Sequence, residues 1–114
     1  MLPEPPTDTP PLYGQDGKGL DAIVFAHYFL PGTAMDWYVT EYDRASGEAF
    51  GWAEVVPGCG ELGYFRHAEL AAAKAPVKVT AKGRHFRTYL PMDYELGWTP
   101  RPLRGILTER EARA

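Results

Sequence analysis

The chain has 114 residues, of which 45% are hydrophobic, and this size and composition predict one globular domain. The longest apolar run, residues 22–30, is too short for a membrane span, which needs about 20 residues. A single cysteine, Cys59, excludes an internal disulfide bond. The first residues lack the basic and apolar regions of a secretory signal, so we expect a cytoplasmic protein with no membrane partner.

The net charge of −3 is unevenly distributed. Residues 1–73 carry three Lys/Arg against 11 Asp/Glu, whereas residues 74–114 carry nine against four. Such an asymmetry marks an interaction surface in some proteins. In a single domain the two halves can also neutralise each other by packing together, and the sequence favours that interpretation.

Taken in chain order, residues 1–19 are rich in proline and glycine and predict an extended or disordered arm. A single domain is then predicted over residues 20–107, followed by a frayed tail at 108–114. Within the domain, β-branched and aromatic residues bounded by Gly/Pro turns predict four strands, at 23–30, 37–42, 49–56 and 61–65.

The pattern then changes. Residues 67–75 are rich in helix formers and end before Pro76, which predicts one short helix. Residues 77–81 and 84–90 flank Lys82-Gly83 and predict a hairpin with a two-residue turn. The predicted fold class is therefore α+β, an antiparallel β-meander of four to six strands with one short helix packed against it.

The second predicted strand has apolar or aromatic residues on both faces. Strict alternation places Trp37 on one face and Tyr38, Thr40 and Tyr42 on the other. Trp37 is predicted to be buried in the core. The opposite face either is covered by the arm or the tail or meets a protein partner. The candidate partner face comprises an acidic and aromatic set: Tyr38, Tyr42, Glu41 and Asp43.

Several segments of this region resemble one small protein family. They are WYVTEYD at 37–43, Phe50-Gly51, ELGYF at 61–65 and Ala68-Glu69-Leu70, in that order. Together with Pro11-Leu12-Tyr13 and Phe29 they resemble the domain-of-unknown-function family 2958, over about residues 11–70. The resemblance implies a small bacterial protein of the kind carried on plasmids and integrative elements. It implies no activity, cofactor or active-site residues.

The sequence contains few of the residue arrangements that catalysis or metal binding requires. The sequence has no CxxC or HExxH spacing, and we expect no metal, no cofactor and no catalytic residues. The carboxylates Glu41 and Asp43 are better explained as a solvated strand edge than as an acid–base pair. A cysteine hydrolase would need Cys59 and His67 within hydrogen-bond reach, and it is the third and weakest hypothesis.

A basic segment begins at residue 74. It combines cations with interleaved aromatic residues, as single-strand binding requires, and contains no acid. The predicted hairpin register places Lys78 opposite Arg87, a repulsive pair that an acidic part of the chain or an external phosphate would have to offset. The sequence favours the internal acid. The candidate nucleic-acid contacts are Lys78, Lys82, Arg84, Phe86 and Arg87.

The resulting functional hypothesis is a non-enzymatic interaction module of a mobile genetic element. It would act on a host nucleic-acid-handling or defence complex through the acidic and aromatic surface. The alternative is direct binding of single-stranded nucleic acid through residues 74–89.

Overall fold

The strands and helices follow the predicted order, with additional short elements. The computed structural model describes residues 1–113. After a 3₁₀ turn at Gly19–Asp21, the elements are β1 (Ile23–Val24), β2 (Ala26–Phe29), β3 (Asp36–Asp43), β4 (Glu48–Glu54), β5 (Glu61–Arg66), α1 (His67–Ala72), β6 (Lys74–Ala81), β7 (Arg84–Pro91), β8 (Asp93–Tyr94), β9 (Arg101–Pro102) and α2 (Leu103–Arg113).

The central element is a five-stranded sheet in the order β5-β4-β3-β2-β8, with every neighbouring pair antiparallel. Strands β2 to β5 form the predicted meander, and the predicted α+β class is confirmed. Strands β6 and β7 form a separate two-stranded ribbon, and β1 pairs with β9. The connection from β3 to β4 is a side-chain-stabilised turn, because the Asp43 carboxylate accepts hydrogen bonds from the Ala45 amide and the Ser46 hydroxyl.

The side chains of β3 do not keep a simple alternation. The register between β3 and β4 shifts between Val39 and Glu41, so a β-bulge lies at Thr40. Before the bulge, Tyr38 packs in a core against α2, whereas beyond it Tyr42 packs with Val39 on the opposite face. The prediction that Tyr38 and Tyr42 share a face is therefore wrong, because the extra residue reverses the alternation.

The sheet carries a hydrophobic core on each face. Trp37, predicted to be buried, is only partly buried and packs at the margin of the first core. This arrangement explains the aromatic density of β3 and β4, since both faces of these strands pack inside the domain. The first core contains Ala26, Tyr28, Leu30, Val39, Tyr42, Ala49, Leu70, Ala75 and Met92; the second contains Val24, Tyr38, Leu103 and Ile106.

The proline-rich arm lies against the first face of the sheet. The Tyr28 hydroxyl donates to the Pro3 carbonyl at 2.7 Å, and the Tyr42 amide donates to the Pro10 carbonyl at 2.8 Å. Leu2 packs against the first core. The arm therefore satisfies a buried hydroxyl and a backbone amide that would otherwise lack partners.

The second face is covered by α2. The sequence predicted one helix and a frayed tail at 108–114, but α2 is a second helix and continues through that boundary to Arg113. Its Leu103 and Ile106 are buried in the second core, and Arg110 is bound to strand carboxylates. The final residue of the predicted tail lies outside the described residues.

Candidate nucleic-acid interface

The ribbon of β6 and β7 is closed by the predicted two-residue turn. Lys82 and Gly83 have φ angles of 53° and 75°, as a type I′ turn requires at both central positions. Ala81 pairs with Arg84, and the register continues for eight residue pairs. Because each strand rises about 3.3 Å per residue, the ribbon is about 26 Å long.

One face of the ribbon is open to solvent along its whole length. Alternation brings residues from both strands to this face, and all of them are exposed. Tyr89, on the same face, leaves 61% of its surface exposed. We call this set the cationic face: Lys74, Pro76, Lys78, Thr80, His85, Arg87, Tyr89 and Pro91.

The opposite face is mainly apolar and is docked only near the base of the ribbon. The predicted contact Arg84 lies on this face, exposed beside the turn, and not with Lys78 and Arg87. Ala75 is buried in the first core. A Cβ added at Gly32, in the loop between β2 and β3, would lie 2.6 Å from Cγ1 of Val77. That close approach seats the base of the ribbon against the domain. Phe86, which pairs with Val79 nearer the turn, remains 50% exposed.

Lys78 lies directly opposite Arg87 on the cationic face, as predicted. Across residues 1–113, no salt bridge or side-chain hydrogen bond joins Lys78, Lys82, Arg84 or Arg87 to an acidic group. The expected internal neutralisation is therefore not found. The ribbon forms its own sheet, and no acidic side chain of the first half reaches these four cations.

The central sheet contains a second like-charge pair, and this pair, unlike Lys78 and Arg87, has a counter-ion. Asp36 of β3 lies opposite Glu54 of β4. Arg110 of α2 binds both carboxylates, donating from Nε to Glu54 at 2.7 Å and from Nη1 to Asp36. The acidic pair thus has a cation built into the fold, whereas the basic pair has no such counterpart among the described residues.

The pKa values of Asp36, Glu54 and Arg110 are determined by burial and by the ion pairs within this cluster. Burial raises the pKa of Asp36, but hydrogen bonds from His27 and Arg110 outweigh it and hold the pKa below its ordinary value of 3.8. Burial likewise raises the pKa of Glu54, yet Arg110 and the Gly58 amide bring it below 4.5. The two carboxylates raise the pKa of Arg110 despite its burial.

His27 extends the same cluster. Its ring nitrogens lie 2.6 Å from Asp36 and 2.7 Å from Glu95, and its ring stacks on Tyr38 at 4.5 Å. These groups line a cleft of about 940 Å³ beside α2, which also contains Trp98. The His27, Asp36, Glu54 and Arg110 side chains are paired with one another, which is the pattern of a structural ion-pair network.

The predicted partner face is not an exposed surface. Tyr38, Glu41 and Tyr42 are buried. Glu41 anchors the arm, because its carboxylate accepts hydrogen bonds from the amides of Tyr13 and Gln15 at 2.8 and 2.9 Å. The carboxylate of Asp43, the fourth residue of the predicted face, accepts hydrogen bonds within the turn that follows β3.

The structure does not bring Cys59 and His67 together. They flank opposite ends of β5, whose six residues span about 20 Å. Nε2 of His67 lies 3.1 Å from the Leu2 carbonyl, and Cys59 is exposed in the preceding turn. The geometry therefore does not support a cysteine–histidine dyad.

The described residues hold neither a metal cluster nor a helix that could span a membrane. Residues 1–113 contain no group of three or more His, Cys, Asp or Glu side chains arranged to hold a metal ion. In the same range, neither helix has the length and apolar character needed to cross a membrane.

The network around Arg110 was not predicted from the sequence. A signal was present, because Leu103, Ile106, Leu107 and Arg110 follow the i, i+3, i+4, i+7 spacing of one helix face. The partners of Arg110 lie 56 and 74 residues earlier in the chain, and no local pattern identifies them.

Comparison with curated proteins and with solved structures found no match. The family model described as "Protein of unknown function (DUF2958)" matches residues 13–96. The match reaches beyond the expected limit near residue 70 and includes the whole β6–β7 ribbon, while α2 lies outside it. Because this range covers well over half of the sequence, the chain belongs to the DUF2958 family.

Proposed function

We propose that the protein binds single-stranded nucleic acid through the cationic face of the β6–β7 ribbon. The observation that carries this proposal is the Lys78–Arg87 pair, two like charges held opposite each other without an acidic partner in the described chain. Such a pair destabilises a ribbon unless an anion lies across it. A phosphate backbone supplies that anion repeatedly along its length.

The distribution of charge supports the same surface. Residues 74–91 contain five Lys/Arg and no Asp/Glu, although the whole chain has a net charge of −3. The remainder of the protein is therefore acidic and repels phosphate. A polyanion is directed to the ribbon by attraction there and by repulsion elsewhere.

The exposed aromatic residue favours an unpaired strand over a duplex. Tyr89 lies on the cationic face, flanked by Pro76 and Pro91, and most of its ring is open to solvent. An unpaired base can stack on such a ring with about 1–3 kcal/mol per base, whereas the bases inside a duplex already stack on one another. Cations and an aromatic ring on one open surface are the combination that single strands require.

A protein partner at the acidic and aromatic set has less support from the geometry. Tyr38, Glu41 and Tyr42 are covered by α2 and by the arm, and a partner could reach them only after those segments moved away. The ribbon requires no rearrangement of the fold to meet its ligand.

The test is fluorescence anisotropy with a labelled oligo(dT) of about 15 nucleotides, a length within the site sizes of single-strand binders. The parent protein is expected to bind with an affinity that falls as salt increases. The double variant Lys78→Ala/Arg87→Ala should bind weakly. Its slope of log affinity against log salt should be shallower by about 1.4, because each phosphate contact contributes about 0.7.

Lys18→Ala serves as the matched control, because it removes an exposed lysine of the arm and leaves the ribbon unchanged. Binding by Lys18→Ala should equal that of the parent. The control removes one charge and the double variant removes two. An equal loss of binding free energy per charge removed would show that binding depends on overall charge, and it would contradict the assignment to the ribbon.

A further inference from the structure

Phe86 is an exposed aromatic residue that binding along the cationic face does not use. It projects from the opposite face of the ribbon, where it pairs with Val79. The base of that apolar face is docked through Ala75 and Val77, but Phe86 lies closer to the turn and half of its surface is exposed. A strand lying along Lys78 and Arg87 cannot contact its ring.

The ribbon therefore presents different chemistry on its two sides. One side carries Lys74, Lys78, Arg87 and Tyr89. The other side carries the Phe86 ring with Val79 opposite it and a single cation, Arg84, beside the turn. Both sides can be used at once where two nucleic-acid strands diverge. At such a junction an unpaired strand offers its phosphates to one side, and the last base pair of the duplex exposes its apolar face to the other.

We infer that the ribbon recognises the junction between a duplex and a single strand. This inference rests on the proposed function, because the cationic face holds the unpaired strand. Phe86 stacks on the terminal base pair at the fork, and apolar side chains are known to enter between base pairs in this manner. An unbroken duplex has no exposed base face beside the ribbon, and a continuous single strand leaves Phe86 unused.

The expected preference follows from one additional stacking contact. A base stacked on an aromatic ring contributes about 1–3 kcal/mol, and 1.4 kcal/mol corresponds to a tenfold change in affinity. A fork should therefore bind about tenfold more tightly than a single strand of the same unpaired length. A blunt duplex should bind most weakly of the three probes.

The experiment compares three DNA probes in the same anisotropy assay: a fork with unpaired tails of about 15 nucleotides, the isolated single strand and a blunt duplex. Phe86→Ala should reduce binding to the fork to the level of the single strand and leave single-strand binding unchanged. Phe86→Trp, which keeps an aromatic ring, should retain the preference for the fork. Leu96→Ala, which shortens another exposed apolar side chain, is the control and should bind like the parent.

The outcomes separate this inference from the proposed function. Equal affinity of the parent for fork and single strand overturns the junction inference alone. The same conclusion follows if Phe86→Ala weakens binding to every probe by the same factor. Failure of the folded parent to bind any of the three probes at low salt overturns the proposed function and this inference with it.

Discussion

The strongest test of the fold is the removal of the Arg110 charge. Arg110→Met keeps the aliphatic stem of the side chain but leaves Asp36 opposite Glu54 without the cation that joins them. Breaking a buried ion pair costs about 3–5 kcal/mol. The Arg110, Asp36 and Glu54 side chains are 20%, 14% and 9% exposed, and Asp36 keeps His27, so we expect the lower end, about 3 kcal/mol.

The unfolding free energy lost in Arg110→Met should become smaller as the pH falls. The pKa values of Asp36 and Glu54 lie below 3.8 and 4.5 in the folded protein. A carboxylate with a lowered pKa stabilises the fold above its ordinary pKa, and this contribution is lost as the pH falls through the folded value. The difference between parent and Arg110→Met should therefore be complete near pH 7 and should narrow as the pH falls below 4.5, the ordinary pKa of Glu54.

Urea unfolding at about pH 7 and about pH 3 measures both effects. Arg113→Met, which changes an exposed arginine three residues further along α2, is the control and should unfold like the parent at both pH values. A loss below about 1 kcal/mol at neutral pH would contradict a buried ion-pair network, because that is the cost of breaking a surface ion pair. A loss that does not change with pH would show that the effect comes from packing.

The remaining predictions concern the arm, the sheet and the cysteine. Deletion of residues 2–10 should lower the thermal midpoint by about 10 °C, because the buried Tyr28 hydroxyl loses its acceptor; an unchanged midpoint would contradict the observed docking. Gly51→Ala should prevent stable folding, since its Cβ would lie 1.8 Å from a backbone oxygen of β3, whereas Gly63→Ala, its cross-strand neighbour with open space, should fold normally by circular dichroism. Cys59→Ser should leave both the thermal midpoint and oligo(dT) binding unchanged, and loss of binding would assign the exposed cysteine a role.

The features predicted correctly from the sequence depend on short segments of the chain. The register of the β6–β7 ribbon followed from alternation on either side of Lys82-Gly83, and the meander followed from apolar strands separated by Gly/Pro turns. In these cases the residues that determine the structure are neighbours in sequence. The basic candidates Lys78 and Arg87 were therefore placed correctly opposite each other.

The features predicted incorrectly depend on contacts between distant segments. The β-bulge at Thr40 places the Tyr42 side chain on the opposite face of the sheet from the predicted one. The bulge could not be predicted, because the apolar and polar residues of this segment still alternate in the sequence. The burial of Glu41 depends on the arm, which the sequence predicted only as an extended or disordered segment. The charge pattern did not show that Arg110 binds Asp36 and Glu54. It also did not show that Lys78 and Arg87 have no acidic partner within residues 1–113.

An NMR titration of the ¹⁵N-labelled protein with oligo(dT) identifies the binding surface most directly. Amide shifts are expected to concentrate in residues 74–91, with the largest changes around the Lys78–Arg87 pair and at Tyr89. The amides of β3 and of the cluster around Arg110 should change little. Shifts that concentrate in β3, β4 or α2 while residues 74–91 stay unchanged would contradict the assignment of the ribbon as the binding surface.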